Sequence, residues 1–404
     1  MPHDSRGRST GLPTVDDLET SDRRVLVRCD FNVPLKDGRI TDDMRIRAAV
    51  PMLRKLLERG ARLAVCSHLG RPKGKVVEEL RLAPVGRRLG ELLGQEITAV
   101  RDVAGDEASA ACASDAQVVL LESLRFEAGE EANDPGFAAE LAALGDAYVD
   151  DAFGAAHRAH ASIVGVAERL PAAAGDLLVE EVERLERLLA DPDRPYVAVL
   201  GGAKVSDKLN VIGNLLSRVD AFCIGGAMAF TLLAARGEHV GRSLVEGDRI
   251  GDVEDVLKQA DEADVQVHLP TDVVAAESPD EGAPYETVPL RDIGDRMGVD
   301  IGPDTSADFE RVVKSAKTIL WNGPMGIFEI DAYAQGTRAV AQAIGEATTS
   351  GAYSVAGGGD SAAALKQFGM SDAVSHLSTG GGASLELLEG KELPGVAVLR
   401  RKVG

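Results

Sequence analysis

Short apolar runs alternate along the chain with longer segments whose apolar positions recur every three or four residues. The runs are RVLVRC (24–29), RLAVCS (62–67), AQVVLLE (116–122), DAYVDDAF (146–153), YVAVLGG (196–202), AFCIGG (221–226), VQVHLP (265–270), TILWNG (318–323) and AYSVAGG (352–358). They are apolar without strict two-residue alternation, which predicts strands of parallel sheets covered on both faces. Between them, MRIRAAVPMLRKLLERG (44–60), APVGRRLGELLG (83–94), GFAAELAALG (136–145) and DVEDVLKQADEAD (252–264) predict amphipathic helices. The fold class is therefore α/β, as two doubly wound, Rossmann-like domains with parallel sheets. Residues 176–195 read as one long helix stopped by DPDRP, and a new strand follows. The tail after residue 383 begins helical and ends extended.

Length agrees with this division, since 404 residues exceed what one core usually supports. The formal net charge of -21 repels DNA, RNA and anionic membranes, so neither nucleic acid nor a membrane is an expected partner. Lys is the minority among the basic residues, and with the Asp/Glu excess this suits a salty cytoplasm that screens self-repulsion. No run approaches the ~20 apolar residues of a membrane span, and the polar start lacks the apolar core of a signal peptide. The four cysteines, Cys29, Cys66, Cys112 and Cys223, form no CxxC pair and read as free buried thiols of a reducing compartment. A cytoplasmic protein is expected.

Ligands of open parallel sheets bind at the carboxyl ends of strands. In the first half these ends carry Arg28, Asp30 and Asn32, then His68 and Arg71 around Gly70, then Arg125, then His157, Arg158 and His160, with Arg45 at the start of a helix. Any one arginine reads equally well as a weak surface ion pair. As a set they describe a pocket for a small, multiply anionic substrate, because guanidinium forks match phosphate and carboxylate oxygens. Asp30, with Asn32 beside it, suits a hydrogen bond from a substrate hydroxyl. His68 suits charge and hydrogen-bond donation to phosphate, and the histidines lack the partner spacing of a zinc site.

The second half offers glycine and lysine: Gly201, Gly202, Lys204 and Lys208; Gly225 and Gly226; Gly357, Gly358, Gly359, Asp360 and Ser361; Gly380, Gly381 and Gly382. A single glycine turn only permits positive φ. Four at strand-to-helix junctions point to a nucleotide, whose phosphates approach backbone N–H groups and helix N-termini. GxxxxGK[ST], GxGxxG, HRD and DFG are all absent, which excludes a standard P-loop, a dinucleotide fold and a protein kinase.

RCDFNVP, ITDDMRIRAAVPML, SHLGRP, LESLRF, DDAFGAAHRAHAS, LGGAKVSDK, IGGAMAF, WNGPMGIFE, GGGDSA and STGGGASLELLEGKELPGV resemble phosphoglycerate kinases segment by segment, from about residue 12 to the end. The resemblance implies a monomeric hinge enzyme moving a phosphoryl group between 1,3-bisphosphoglycerate and ADP, giving 3-phosphoglycerate and ATP. It implies a 3-phosphoglycerate domain (1–178), an interdomain helix (179–194), a nucleotide domain (195–384) and a C-terminal segment (385–404) packing back on the first domain. Asp30, Asn32, Arg45, His68, Leu69, Gly70, Arg71, Arg125 and Arg158 would hold 3-phosphoglycerate. Lys204, Lys208, Gly298, Asn322, Glu329, Gly358, Gly359, Asp360 and Ser361 would hold MgADP or MgATP, with Asp360 the protein ligand to Mg²⁺. Arg45, Lys204, Gly381 and Gly382 would act at the transferring group. Ser361 stands where the family commonly has Thr, and Asp150 where it often has Asn. Such a reaction needs no general base, only in-line positioning and charge neutralisation.

Alternatives are another Rossmann-like phosphotransferase or dehydrogenase, and a non-catalytic nucleotide-sensing scaffold. Lack of GxGxxG argues against a nicotinamide cofactor, and the presence of Arg45, Lys204 and Asp360 argues against a scaffold.

Overall fold

A computed structural model describes residues 10–402. The chain divides into two compact units, one of residues up to Glu183 plus those from Glu392, the other Arg184–Lys391. The division falls inside the helix Asp176–Ala190.

In the first unit six parallel strands lie in the order Thr98–Ala99, Val118–Leu120, Arg62–Cys66, Arg24–Cys29, Ala147–Asp151, Ala172–Ala174. Every residue of Arg24–Cys29 is buried, which is why Val25, Leu26 and Val27 form an uninterrupted apolar run between its two arginines. Val25, Val27 and Cys29 pack with Ile46, Leu53 and Leu56 of the helix Met44–Glu58 and with Val85 and Leu89 of Ala83–Leu93. Each such aliphatic side chain contributes roughly 1.5–3 kcal/mol by leaving water. Val27 pairs with both Val65 and Val149, so the strands holding Cys29, Cys66 and Asp151 end together at one edge.

In the second unit the parallel order is Gln266–His268, Ala221–Ile224, Tyr196–Leu200, Thr318–Asn322, Tyr353–Gly357, His376–Leu377. A separate antiparallel sheet of Tyr285–Pro289, Asp272–Ala276 and Met297–Ile301 is added to it. The expected parallel sheets are present in both units, and this antiparallel sheet is an addition the sequence does not signal. Tyr285–Pro289 exposes four of its five residues and so presents no apolar run.

The C-terminal end is corrected: Pro394–Arg400 is helical, not extended. Pro394 opens the helix, and Val396, Val398 and Leu399 are buried, so packing overrides the β-preference of the valines. Gly395 N donates to Ala156 O at 2.9 Å, and a side chain on Gly395 would strike Ile163 and Ala156. Among the described residues no helix is long and apolar enough to cross a membrane, and all four cysteines are free and buried.

Candidate active site

The first unit gathers most of its expected residues behind the central strands. Asp30 accepts from Arg45 Nη1 at 2.7 Å. Asn32 Oδ1 accepts from Gly70 N at 2.9 Å, and Arg125 Nη1 donates to Gly70 O at 3.1 Å, so the glycine turn is clamped from both sides. Leu69 is buried, and its N–H donates to Ser123 Oγ at 3.2 Å. Arg71 and Arg158 are exposed, and among the described residues neither side chain makes a hydrogen bond or ion pair to this group.

His68 is 5% exposed. Its Nδ1 lies 2.9 Å from Arg28 Nη2; a guanidinium can only donate, so Nδ1 accepts and the ring proton sits on Nε2. Burial, then the charges of Arg28, Arg125 and Arg45, push its pKa well down. The expected charge on His68 is therefore corrected: the ring is a neutral donor. Arg28 is corrected as well, because it lies within the strand, fully buried. Its Nε donates to Ser162 Oγ at 3.1 Å and its Nη1 to Cys29 O at 2.5 Å, so it orients His68 and has no free face for a ligand. Burial lowers the Arg125 pKa, with Arg28 adding to the effect.

Glu130 was not legible in sequence, since nothing in RFEAGEE separates it from its acidic neighbours. It is fully buried and accepts from Ser162 Oγ at 2.6 Å and Ser162 N at 2.9 Å. Burial opposes its charge, yet His160, Arg28 and Ser162 hold its pKa below the usual carboxylate range. Asp150 is fully buried too, and burial pushes its pKa up to about 6.

In the second unit a cavity of about 430 Å³ is lined by Gly298 and Glu329, with Asp360 also at its wall. Phe230 and Leu244 line it as well and carried no sequence signal. Lys208 is buried and donates to Asn322 Oδ1. Burial brings its pKa down to about 8, against the opposing pull of Asp207 and Asp360. Asn322 Nδ2 is buried without a partner, 3.4 Å from where a Cβ on Gly358 would stand. Gly358, at φ +91°, precedes the helix Gly359–Gln367, whose N-terminus has no side-chain cap. Its first amides are thus open to an anion. Ser361 Oγ accepts from Gly323 N at 2.7 Å and is fully buried, a structural role.

The glycine turns divide. Gly201 N donates to Asn322 O, Gly202 N to Pro324 O, Gly225 N to Leu200 O and Gly226 N to Met325 O. These four amides are used within the protein, and the expectation that they cradle phosphate is corrected. Their glycines are required by close packing, since a side chain on Gly201 would collide with Pro324 O and one on Gly226 with Gly202 N. Gly381 (φ +54°) and Gly382 open the helix Gly382–Leu388, which has no side-chain cap either. Lys204 and Asp360 are exposed. Among the described residues no three His, Cys, Asp or Glu side chains cluster as a metal cage.

The model of the phosphoglycerate kinase family matches residues 15–391. The phosphoglycerate kinase of Rubrobacter xylanophilus is 57% identical over 388 residues, covering 96% of this chain and 97% of that one. That of Moorella thermoacetica is 53% identical over 392 residues, covering 96% and 99%. Among solved structures, phosphoglycerate kinase from Coxiella burnetii superposes with a TM-score of 0.89 at 41% identity, covering 97% of this chain and 100% of that one. The Pyrococcus horikoshii enzyme gives 0.84 at 32% identity, covering 97% and 99%. With a family match over nearly the whole chain, relatives at this identity and the same fold, the chain belongs to the phosphoglycerate kinase family.

Proposed function

We propose that the chain transfers a phosphoryl group reversibly between the acyl phosphate of 1,3-bisphosphoglycerate and ADP, giving 3-phosphoglycerate and ATP. The observation that carries this reading is the buried pair Lys208 and Asn322 beside the uncapped helix at Gly358. A buried ammonium, an unpartnered amide donor and open backbone N–H groups at one point suit a bound anion of high charge.

The nucleoside would occupy the cavity at Gly298 and Glu329, with its phosphates toward Lys208, Asn322, Gly358 and Gly359. Asp360, exposed at that wall, would hold Mg²⁺, whose remaining ligands must be phosphate and water because no protein cage surrounds it among the described residues. When bound, the ion would neutralise phosphate charge. In the first unit Asp30, Asn32, Arg45, His68, Leu69, Gly70, Arg71, Arg125 and Arg158 would hold 3-phosphoglycerate. Neutral His68 would donate Nε2–H without adding charge, while Arg45 and Arg125 supply it. Lys204, Arg45, Gly381 and Gly382 would stabilise the transferring group. Hinge closure, a monomeric state and a cytoplasmic location complete the proposal.

The test is ADP release from ATP in a coupled assay, with and without 3-phosphoglycerate. A rate indifferent to 3-phosphoglycerate refutes the assignment.

A further inference from the structure

Lys204 and Lys208 sit on a turn with little structure of its own. Residues 203–208 form bends and a turn before the helix Leu209–Leu215, tied internally by Lys208 N to Val205 O at 2.9 Å. Asn322 Oδ1 fixes the Lys208 ammonium, but something outside the turn must set where Lys204 stands. One carboxylate does so: Glu246 Oε2 accepts from Ser206 N at 3.0 Å and Oε1 from Ser206 Oγ at 2.6 Å. Burial opposes its charge, but Ser206, Val205 N and Lys204 hold its pKa below the ordinary value.

Glu246 is itself anchored. Its N–H donates to Thr231 Oγ1 at 3.1 Å, and Thr231 is buried in the helix Met228–Ala235. Three residues earlier on the same strap, Ser243 Oγ accepts from Gly298 N at 2.9 Å, and Leu244 lines the 430 Å³ cavity. A single irregular segment therefore touches the cavity wall at one end and the lysine turn at the other.

We propose that Glu246 is a positioning residue for phosphoryl transfer: through Ser206 it sets the turn that carries Lys204, and the strap Ser243–Glu246 ties that turn to the nucleoside cavity. This rests on the function proposed above. A carboxylate that merely stabilised the fold would affect all steps alike. One that aims a lysine affects turnover, and only while that lysine is present.

The experiment compares Glu246→Ala, Glu246→Gln and Ser206→Ala in the full-length protein, each alone and with Lys204→Ala. It measures kcat, KM for both substrates, melting temperature, and hydrogen exchange of residues 203–208. Glu246→Ala should lower kcat about tenfold to a hundredfold, the effect of a misplacement near 1 Å. KM for 3-phosphoglycerate should stay unchanged, and exchange should accelerate at 203–208. Ser206→Ala should move both readings the same way by less, and Glu246→Ala should cost nothing further once Lys204 is Ala. Unchanged kcat and exchange, or losses that multiply with Lys204→Ala, overturn the proposal. Should Glu246→Ala fail to fold, Glu246→Gln and Ser206→Ala decide by the same readings. If the wild type shows no 3-phosphoglycerate-dependent turnover, only the functional reading falls, because exchange at 203–208 still reports whether Glu246 holds the turn.

Discussion

Nucleotide binding should take up a proton at Lys208, and the size of that uptake follows from the structure. Burial brings the free ammonium from 10.5 to about 8. The fold thus disfavours its charged form by about 3 kcal/mol, since a tenfold change in proton affinity is worth about 1.36 kcal/mol. The free side chain is then about nine-tenths charged at pH 7, half at pH 8 and one-tenth at pH 9. A nucleotide phosphate against Nζ favours the ammonium and raises its pKa. Uptake should therefore be about 0.1 proton at pH 7, 0.5 at pH 8 and 0.9 at pH 9. Affinity should fall about tenfold from pH 7 to pH 9 for the same reason. The sign for stability is opposite: between pH 8 and 10.5 the unfolded chain holds more protons, so stability attributable to Lys208 rises with pH there. Titration calorimetry of ADP in buffers of different ionisation enthalpy measures the uptake at pH 8 and 9, above the titration of the phosphates themselves. Lys208→Arg, always charged, should abolish it. No uptake in the wild type, or the same uptake in the arginine variant, would refute the placement of Lys208 against phosphate.

Lys204→Ala should lower kcat far more than it weakens nucleotide binding; near-native turnover contradicts its assignment. Arg71→Ala should raise KM for 3-phosphoglycerate about tenfold to a hundredfold, the value of one charged hydrogen bond at 1.5–3 kcal/mol, and an unaltered KM sinks that placement. Gly298→Ala puts a methyl group into the Phe230 ring. Overpacking of about 1–3 kcal/mol should weaken ADP about fivefold to a hundredfold by calorimetry, and native affinity would place the nucleoside elsewhere. For Asp150, whose pKa is raised from 3.8 to about 6, stability is fully present below 3.8 and lost as pH rises through 6. Asp150→Asn should therefore stabilise by up to about 3 kcal/mol at pH 8 and little at pH 4 in urea unfolding; an equal gain at both pH values disproves the account.

The parallel strands were legible because burial on both faces writes itself as uninterrupted apolar runs, as in VLV (25–27). The antiparallel sheet was not, because YETVP (285–289) buries one residue in five. The C-terminal valines read as extended because propensity is local, whereas the contacts of Val396 and Gly395 with distant chain are not. The site residues stood out where charge met a strand end. What those charges lean on did not: Arg28 depends on Ser162, and the lysine turn on Glu246, pairs far apart in sequence. Glycines were the most ambiguous signal, since Gly202 and Gly358 look alike as letters. One lends its amide to Pro324 O, while the other opens an uncapped helix beside an unpartnered Asn322 Nδ2.

In the basic group of the first unit the candidate proton acceptors are occupied. His68 is neutral, with its only acceptor nitrogen taken by Arg28. Asp30 is paired with Arg45 at 2.7 Å. Asp150, Asp151 and Asp300 are buried and accept from the backbone N–H groups of Ala152, Leu177 and Gly336. A site arranged in this way suits a reaction whose attacking and leaving oxygens are already stable anions near neutral pH. Such a reaction gains nothing from a general base and much from fixed positive charge. The Arg45–Asp30 pair has a further consequence, because Asp30 takes only Nη1 of Arg45 and leaves its other N–H groups for an incoming phosphoryl group. If Asp30 also accepts a substrate hydroxyl, the carboxylate that recognises the substrate is the one that holds the guanidinium in place, so recognition and charge stabilisation share one contact.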